Sequence, residues 1–327
     1  MKPRCGWLLL LLAGVSQQVL HAAEERDARG WLREMEKSVK TLNYQGNFVY
    51  LYDENLELMR VVHTYDSNGE RERLISLNGA AREVVRDDAS VTCIAPDSKS
   101  VLINGRNPGA GLVFLSGTEA KNLDHYYDFR LLDLARIAGR LAQTVAIFPR
   151  DHYRYGYRIS LDQKSALPLK TDMLDTSGAV ISQMMFTSIQ IDSATQTLFV
   201  AQGLEGREDY LWEQPRPSQL VQGSDDIGWY FDGLPQGYTL NLKARIQAGP
   251  EDQYTTEHFV VSDGLASLSV YVEAMGEETG LVGRSQMGAV NAFGRQTTDG
   301  YQITAVGTVP AVTVEAVAMA LRRTSDP

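Results

Sequence analysis

From Asn43 onwards, the periodicity of the sequence changes from that of a helix to that of short β-strands. The segments "GNFVYLY", "LMRVVHTY", "ERERLISLN" and "REVVRD" have the two-residue period of strands. Between them, "DEN", "DSNG" and "NGA" supply Asn, Asp and Gly, which favour tight turns. Because consecutive strands joined by tight turns pair antiparallel, this pattern constrains the first half of the chain to an antiparallel β-sheet.

An amphipathic helix is predicted immediately before these strands, over residues 26–42. Several of the strands that follow are apolar on both faces. In "NFVYLY", for example, Phe48, Tyr50 and Tyr52 face one way, while Val49 and Leu51 face the other. Such a sheet needs cover on both sides, so we expect the helix on one face and either a second layer or a ligand on the other.

The first 22 residues are predicted to be a secretory signal peptide. A short basic head, "MKPR", precedes the apolar run "GWLLLLLAGV", and small residues follow that suit cleavage after Ala22 or Ala23. The mature chain then holds one cysteine, Cys93, which excludes an internal disulfide. The formal net charge of the whole chain is −10, and losing the basic head makes it more negative. An acidic, exported protein is unsuited to sequence-independent binding of nucleic acid.

The segment "RDHYRYGYRISLDQKSALPLK", residues 150–170, carries the predicted binding residues. On a continuous strand, Tyr153, Tyr155 and Tyr157 share one face. Together with Phe48, Tyr50 and Tyr52 they predict an aromatic lining for a lipid, although a strand with one buried face explains the same pattern. The arginines of this segment are candidates for an anionic head group or an acidic partner, or else form a solvated face. These arginines are Arg150, Arg154 and Arg158.

The chain is predicted to contain two domains. The first covers residues 23–200, and an acidic, Pro- and Gly-containing linker covers 201–226. The second domain, residues 227–327, combines several strands with a C-terminal helix, which is an α+β pattern. Within the first domain, the local spacing of "LLDLARIAGRLA", residues 131–142, favours a helix.

No catalytic site is predicted. The sequence contains no GxSxG, HExxH or P-loop motif, and its histidines lack metal-ligand spacing. We therefore predict a binding protein with no catalytic residues, no metal and no cofactor. Carboxylates that converge in a polar cleft would revive the alternative of an enzyme acting on envelope components.

The sequence resembles the RseB/MucB family, periplasmic negative regulators of the sigma-E-type envelope-stress response. The resemblance rests on "NYQGNFVY", "PRDHYRYGYRISLDQKSALPLK", "GLPQGYTL", "SDGLASLSVYVE" and "GRSQMGAVNAFG", and it covers both domains in order. The block "YGYRISLDQKSALPLK" is also similar to the lipoprotein carriers LolA and LolB. This resemblance implies an unclosed antiparallel β-barrel plugged by helices, followed by a smaller α+β domain. It also implies a strand–turn–strand at 131–142, against the local helix prediction.

The implied function is to bind the periplasmic part of an RseA/MucA-like transmembrane anti-sigma factor and to protect it from regulated proteolysis. Sensing of lipid or lipopolysaccharide would release the factor. The alternative is a periplasmic lipoprotein or lipid carrier, and the sequence leaves open whether the chain forms a homo-oligomer. One position departs from the family pattern, because Ala166 stands where glycine is frequent. A positive φ would cost alanine roughly 1 kcal/mol, so we expect a different turn there.

Overall fold

The computed structural model describes residues 26–67, 69–105, 122–191, 209–213, 221–222, 228–247, 255–276 and 280–324. The predicted signal peptide with its cleavage site at Ala22 or Ala23, and most of the predicted linker, lie outside these residues. The described chain is mainly antiparallel β with few helices, which confirms the predicted fold class. The helices are α1 (Ala28–Thr41), α2 (Leu123–Tyr126) and α3 (Ala311–Ala320), and a short 3-10 turn spans Pro96–Ser98.

The first domain is built on one open, 12-stranded sheet. Its strand order is β12-β6-β5-β4-β3-β2-β1-β11-β10-β9-β8-β7, and only the β12–β6 pair is parallel. The strands are β1 (Tyr44–Tyr52), β2 (Asn55–Asp66), β3 (Gly69–Ser76), β4 (Glu83–Arg86), β5 (Ser90–Ala95), β6 (Ser100–Gly105), β7 (Tyr127–Ile137), β8 (Arg140–Pro149), β9 (Gly156–Asp162), β10 (Pro168–Leu174), β11 (Val180–Ile191) and β12 (Leu211–Glu213).

The sheet curls strongly at the β7 end. Three strands separate β7 from β11 in the sheet order, which would place them about 19 Å apart in a flat sheet. The two strands are nevertheless in contact. The sheet therefore curves like part of a barrel and remains open, with β7 and β12 as its edges.

Helix α1 covers the inner face of this curved sheet, as the amphipathic pattern predicts. Asp27 caps the helix by accepting a hydrogen bond from the Gly30 N–H at 2.6 Å. Leu32 and Met35 are completely buried and pack with Ile159 and Leu161 of β9. The helix contacts β2, β7 and β8, so it joins parts of the sheet that are distant in strand order.

The local helix prediction for residues 131–142 is wrong, and the strand–turn–strand implied by the family resemblance is confirmed. β7 and β8 pair antiparallel across a two-residue turn at Ala138 and Gly139, both of which have positive φ. The helix-like spacing of the leucines fits a strand because the register shifts between Leu131 and Leu134, where β7 contains one extra residue relative to β8.

The different turn expected at Ala166 is not found. Ala166 has a φ of +58°, so it keeps the left-handed conformation that glycine favours. The hairpin imposes this conformation: the Ala166 N–H donates to the Asp162 carbonyl at 2.8 Å, and the Asp162 N–H donates to the Leu167 carbonyl at 2.9 Å. The Asp162 carboxylate also accepts hydrogen bonds from the N–H and hydroxyl of Ser165.

The second domain is a seven-stranded antiparallel sheet with α3 packed against it. Residues of the predicted linker contribute β12 to the first sheet and β13 to the second, so most of the described residues of this linker lie in strands. The strand order is β13-β15-β16-β17-β20-β19-β18, and β14 pairs with β21 separately. The strands are β13 (Val221–Gln222), β14 (Trp229–Phe231), β15 (Thr239–Gln247), β16 (Thr255–Ser262), β17 (Ser267–Ala274), β18 (Gly283–Met287), β19 (Val290–Gln296), β20 (Tyr301–Gly307) and β21 (Leu321–Arg323).

Candidate functional site at the domain junction

Arg154 lies at the centre of the contact between the two domains and is completely buried. β9 begins only at Gly156, so Tyr153, Arg154 and Tyr155 belong to the turn before the strand. The prediction of one continuous strand face with Tyr157 is therefore wrong. The turn directs Arg154 away from the first sheet and into the second domain. Its Nε donates to Asp263 Oδ2 at 2.6 Å and its Nη2 to the Gln236 carbonyl at 2.7 Å, while Nη1 donates to Asp151.

Asp263, the main partner of Arg154, is saturated with hydrogen bonds. Its Oδ1 accepts from the N–H groups of Leu265 and Ala266 at 2.9 and 2.8 Å. Its Oδ2 accepts from Arg154 and from the Tyr127 hydroxyl, the latter at 2.7 Å. A buried carboxylate needs such a set of donors because it has lost its water. The turn at 263–266 and the first domain thus hold the same side chain from opposite sides.

Aromatic rings enclose the Arg154 guanidinium. The ring centroids of Tyr126 and Tyr238 lie 4.6 and 4.8 Å from its Cζ, within the range of cation–π attraction. Gly237 makes this packing possible: a Cβ there would lie 2.6 Å from the Tyr126 ring and 2.7 Å from Arg154 Nη2. Gly237 also has a φ of +87°, a conformation that other residues rarely adopt.

The protonation states follow from this geometry. Burial is the largest single effect and disfavours the charge of Arg154, but the Asp263 carboxylate acting together with the other nearby groups outweighs it and raises the pKa of the guanidinium. Burial, reinforced by the negative charge of Asp263, raises the pKa of Tyr127 well above its ordinary value. The same two causes raise the pKa of Tyr238. The junction is therefore an ion pair of Arg154 and Asp263 surrounded by neutral phenols.

Further hydrogen bonds join the two domains around this ion pair. The Tyr153 carbonyl accepts from the Tyr238 hydroxyl at 3.0 Å and from Thr313 Oγ1 of α3 at 2.8 Å. Asn291 Nδ2 of β19 donates to the Tyr155 hydroxyl at 2.9 Å. At the other side, the Gly288 N–H donates to Asp53 Oδ2 at 2.8 Å. The orientation of the second domain is consequently set by polar contacts with fixed geometry.

A cavity of about 230 Å³ lies beside the Gly288–Asp53 contact. It is bounded by both domains and by predominantly apolar surface, with one charged pair, Glu57 and Arg82, at 3.1 Å. The lining residues are Tyr50, Tyr52, Glu57, Arg82 and Met173 from the first domain, and Met287, Gly288, Ala289, Val290 and Thr308 from the second.

The six aromatic residues predicted to line a lipid site do not share one surface. Phe48 is buried against Phe186 in the core beneath the end of α1, and Tyr157 is buried beside Leu32 of α1. Tyr50 and Tyr52 line the cavity, whereas Tyr153 and Tyr155 make the domain contacts described above. A role of Phe48, Tyr50, Tyr52, Tyr153, Tyr155 or Tyr157 in lipid binding stays a prediction.

The three arginines of the same segment also separate. Arg154 is committed to Asp263, whereas the half-exposed Arg158 has its Nε 3.7 Å from Asp172. Arg150 is exposed, and its backbone N–H donates to the Tyr126 carbonyl at 2.8 Å. Their role towards an anionic head group or a partner stays a prediction.

An open apolar surface lies elsewhere, on the sheet face that α1 covers only in part. Leu131 is directly opposite Val145, and Leu134 is opposite Gln143, so both share the face on which Val145 packs with α1. Leu141 alternates onto the same face. The three leucines are 39, 51 and 43% exposed, respectively. They extend the buried core into an accessible apolar strip, which we call the leucine strip.

The predictions from sequence missed Asp263, Gly237 and Asn291, although the segments that contain them carried the family resemblance. "SDGLASL" forms the Asp263 turn, and "GLPQGYTL" places Gly237 and Tyr238 against Arg154. The Asp- and Gly-containing turn sequence within these segments was the available signal. Within the described residues, no cluster of three potential metal ligands occurs, and no helix is long and apolar enough to cross a membrane.

The fold and the junction define a two-domain protein in which a curved, open β-sheet is joined to a smaller α+β domain through a buried ion pair and several hydrogen bonds. This chain belongs to the MucB/RseB family. The model of the MucB/RseB N-terminal domain matches residues 27–204, and that of the MucB/RseB C-terminal domain matches residues 223–322.

Relatives match along nearly the entire chain. The sigma factor AlgU regulatory protein MucB of Pseudomonas aeruginosa is 32% identical, over 96% of each chain. The sigma-E factor regulatory protein RseB of Escherichia coli K12 is 29% identical, over 88% of each chain. A crystal structure of MucB in complex with MucA(peri) superposes with a TM-score of 0.66 at 28% identity, covering 92% of this chain and 100% of that one.

Proposed function

We propose that this chain is exported to the periplasm, where it binds the periplasmic part of a membrane-spanning anti-sigma factor of the RseA/MucA type and shields it from regulated proteolysis. The observation that carries the proposal is the likeness to MucB bound to MucA(peri), because it extends over both domains and not over the curved sheet alone. The protein acts by binding, and its polar junction keeps the two domains in the orientation that the partner recognises.

We further infer that lipid or lipopolysaccharide releases the partner by occupying the leucine strip. Acyl chains favour an accessible apolar surface, and Leu131, Leu134 and Leu141 provide one beside α1. A ligand there can weaken partner binding only if it prefers one conformation of the protein over another. Helix α1 is the element in a position to respond, since its buried face meets the same core.

The direct test is to mix the purified mature protein with the periplasmic polypeptide of the MucA-type protein from the same genome. We expect a stable complex by calorimetry and slower cleavage of the polypeptide by the periplasmic protease that cleaves it in the same organism. Lipopolysaccharide should dissociate the complex and restore cleavage. Absence of a complex, together with efficient transfer of acylated lipoprotein between membranes, would contradict this proposal and favour the lipid or lipoprotein carrier.

The leucine strip is tested with a matched pair of leucines. Leu134 and Leu56 are 51 and 50% exposed, but Leu56 is opposite Leu51 on the other face of the sheet. Leu134→Asp should raise the lipopolysaccharide concentration needed for release about tenfold, while Leu56→Asp should leave it unchanged. Both variants should bind the anti-sigma polypeptide as the wild type does. Equal effects of the two variants on release would refute the assignment of the strip.

A further inference from the structure

β18 is an edge strand that leaves backbone groups available on one side. It pairs with β19 from Gly283–Gly294 to Met287–Val290, and among the described residues no strand pairs with its other side. In a hairpin closed by the two residues Gly288 and Ala289, Met287 and Val290 form a hydrogen-bonded pair. By the alternation of antiparallel ladders, the N–H and C=O groups of Arg284 and Gln286 then point away from β19.

The cavity at the domain junction begins where this free edge ends. Met287 closes β18 and contributes to the cavity lining, together with Tyr50 and Tyr52 of β1. A dry apolar cavity of about 150 Å³ accommodates benzene. The volume of about 230 Å³ here therefore suits one large apolar side chain, such as that of Phe or Leu.

Exposed apolar side chains flank the same edge. Met287 is 72% exposed and Val282, one residue before β18, is 69% exposed. Between them, Arg284, Ser285 and Gln286 are also exposed, and the Arg284 side chain forms an ion pair with Glu315 of α3. An occupant must hydrogen-bond to a peptide backbone, contact apolar side chains and reach an apolar cavity at one end.

We propose that β18 binds an extended segment of a protein partner as an additional strand, and that this segment inserts one large apolar side chain into the cavity between Tyr50, Tyr52 and Met287. Free backbone N–H and C=O groups select a peptide over a lipid, because only a peptide backbone satisfies both in register. The inserted side chain fixes the register of the added strand and contacts both domains at once. The affinity for the segment therefore depends on the relative orientation of the two domains. This inference rests on the proposed function and names the binding mode of that partner.

The decisive variant is Gln286→Pro. Proline removes the outward N–H and fills its space, and it is tolerated on an edge strand whose N–H faces solvent. Gln286→Ala is the matched control, since it removes the same side chain and keeps the N–H. Using the MucA-type periplasmic polypeptide of the same genome as the probe, we expect Gln286→Pro to weaken binding at least tenfold and Gln286→Ala less than twofold. Circular dichroism and thermal unfolding check that both variants fold.

A second pair of variants tests the cavity without altering the backbone. Met287→Glu places a charge at the cavity entrance, whereas Met319→Glu adds the same charge at an exposed methionine of α3. We expect about a tenfold loss of binding for Met287→Glu only. Should Gln286→Pro fail to fold, this pair decides the proposal.

The outcomes separate the two proposals. If the wild type binds the polypeptide and the Met287→Glu and Gln286→Pro variants bind equally well, the strand-addition mode is overturned while the proposed function stands. If the wild type does not bind the polypeptide at all, the proposed function itself fails.

Discussion

The Nε atom of Arg154 lies 2.6 Å from Oδ2 of Asp263, and both side chains are inaccessible to solvent although they belong to different domains. The pair is separated by 109 positions in the sequence. Surrounding phenols and backbone groups satisfy its remaining hydrogen-bonding capacity. This buried charge pair is the centre of the polar contacts that join the two domains, and it leads to the first prediction.

Arg154→Met should lower the free energy of unfolding by about 3–5 kcal/mol, because it leaves the Asp263 carboxylate buried without its counter-charge. Arg158→Met is the control: Arg158 is 39% exposed and 3.7 Å from Asp172, and its loss should cost less than about 1 kcal/mol. Urea unfolding at neutral pH measures both values. Comparable losses in the two variants would show that the junction does not depend on the ion pair.

Alkaline stability should report on the buried phenols. Burial is the main cause that raises the pKa of Tyr127 and Tyr238, with Asp263 as the second cause, and burial likewise raises the pKa of Tyr44. The unfolded chain releases these protons near pH ~10, whereas the folded protein retains them. Below pH ~10 these tyrosines are neutral in both states and do not affect the pH dependence of stability. Above pH ~10 the free energy of unfolding should fall as the pH rises.

Tyr238→Phe makes this prediction quantitative. Removing one phenol with a raised pKa should reduce the alkaline slope by about 1.4 kcal/mol per pH unit. The measurement is urea unfolding at several pH values above 10, with tyrosinate absorbance followed in parallel. Identical slopes for the wild type and the variant would mean that Tyr238 ionises equally easily in both states.

Position 166 tests the strain of the β9–β10 hairpin. Ala166→Gly relieves a left-handed conformation that costs alanine about 1–2 kcal/mol, but it makes the unfolded chain more flexible by about 0.4–1 kcal/mol and removes a buried methyl group. We therefore expect a change within about 0.5 kcal/mol. Ala166→Val should destabilise by about 1–3 kcal/mol, since a branched side chain fits neither this φ nor the 2% exposed site. A higher midpoint of thermal unfolding for Ala166→Val than for Ala166→Gly would contradict this account.

The local sequence determined the elements whose pattern depends on near neighbours. The spacing of Leu32 and Met35 and the charged opposite face predict α1 because they require only one amphipathic surface. The alternating strands and Asn- or Gly-containing turns from residue 43 similarly predict β1 to β4 and their antiparallel pairing.

The same local reasoning failed where distant contacts decide the conformation. The leucines of 131–142 have helical spacing, yet pairing with β8 and a register shift make this segment a strand. Alternation along 150–158 predicts one aromatic face, but the segment turns before Gly156 to deliver Arg154 to Asp263. In each case the hydrogen bonds gained in the tertiary structure outweigh the local preference.

The sequence by itself thus determined the antiparallel class, the amphipathic helix, the two-domain composition and the family. Only the tertiary structure decided which tyrosines are core, which join the domains and which border the cavity. Periodicity encodes the direction of a side chain relative to its own strand, whereas the burial of Arg154 or the opening beside Met287 depends on residues more than one hundred positions away.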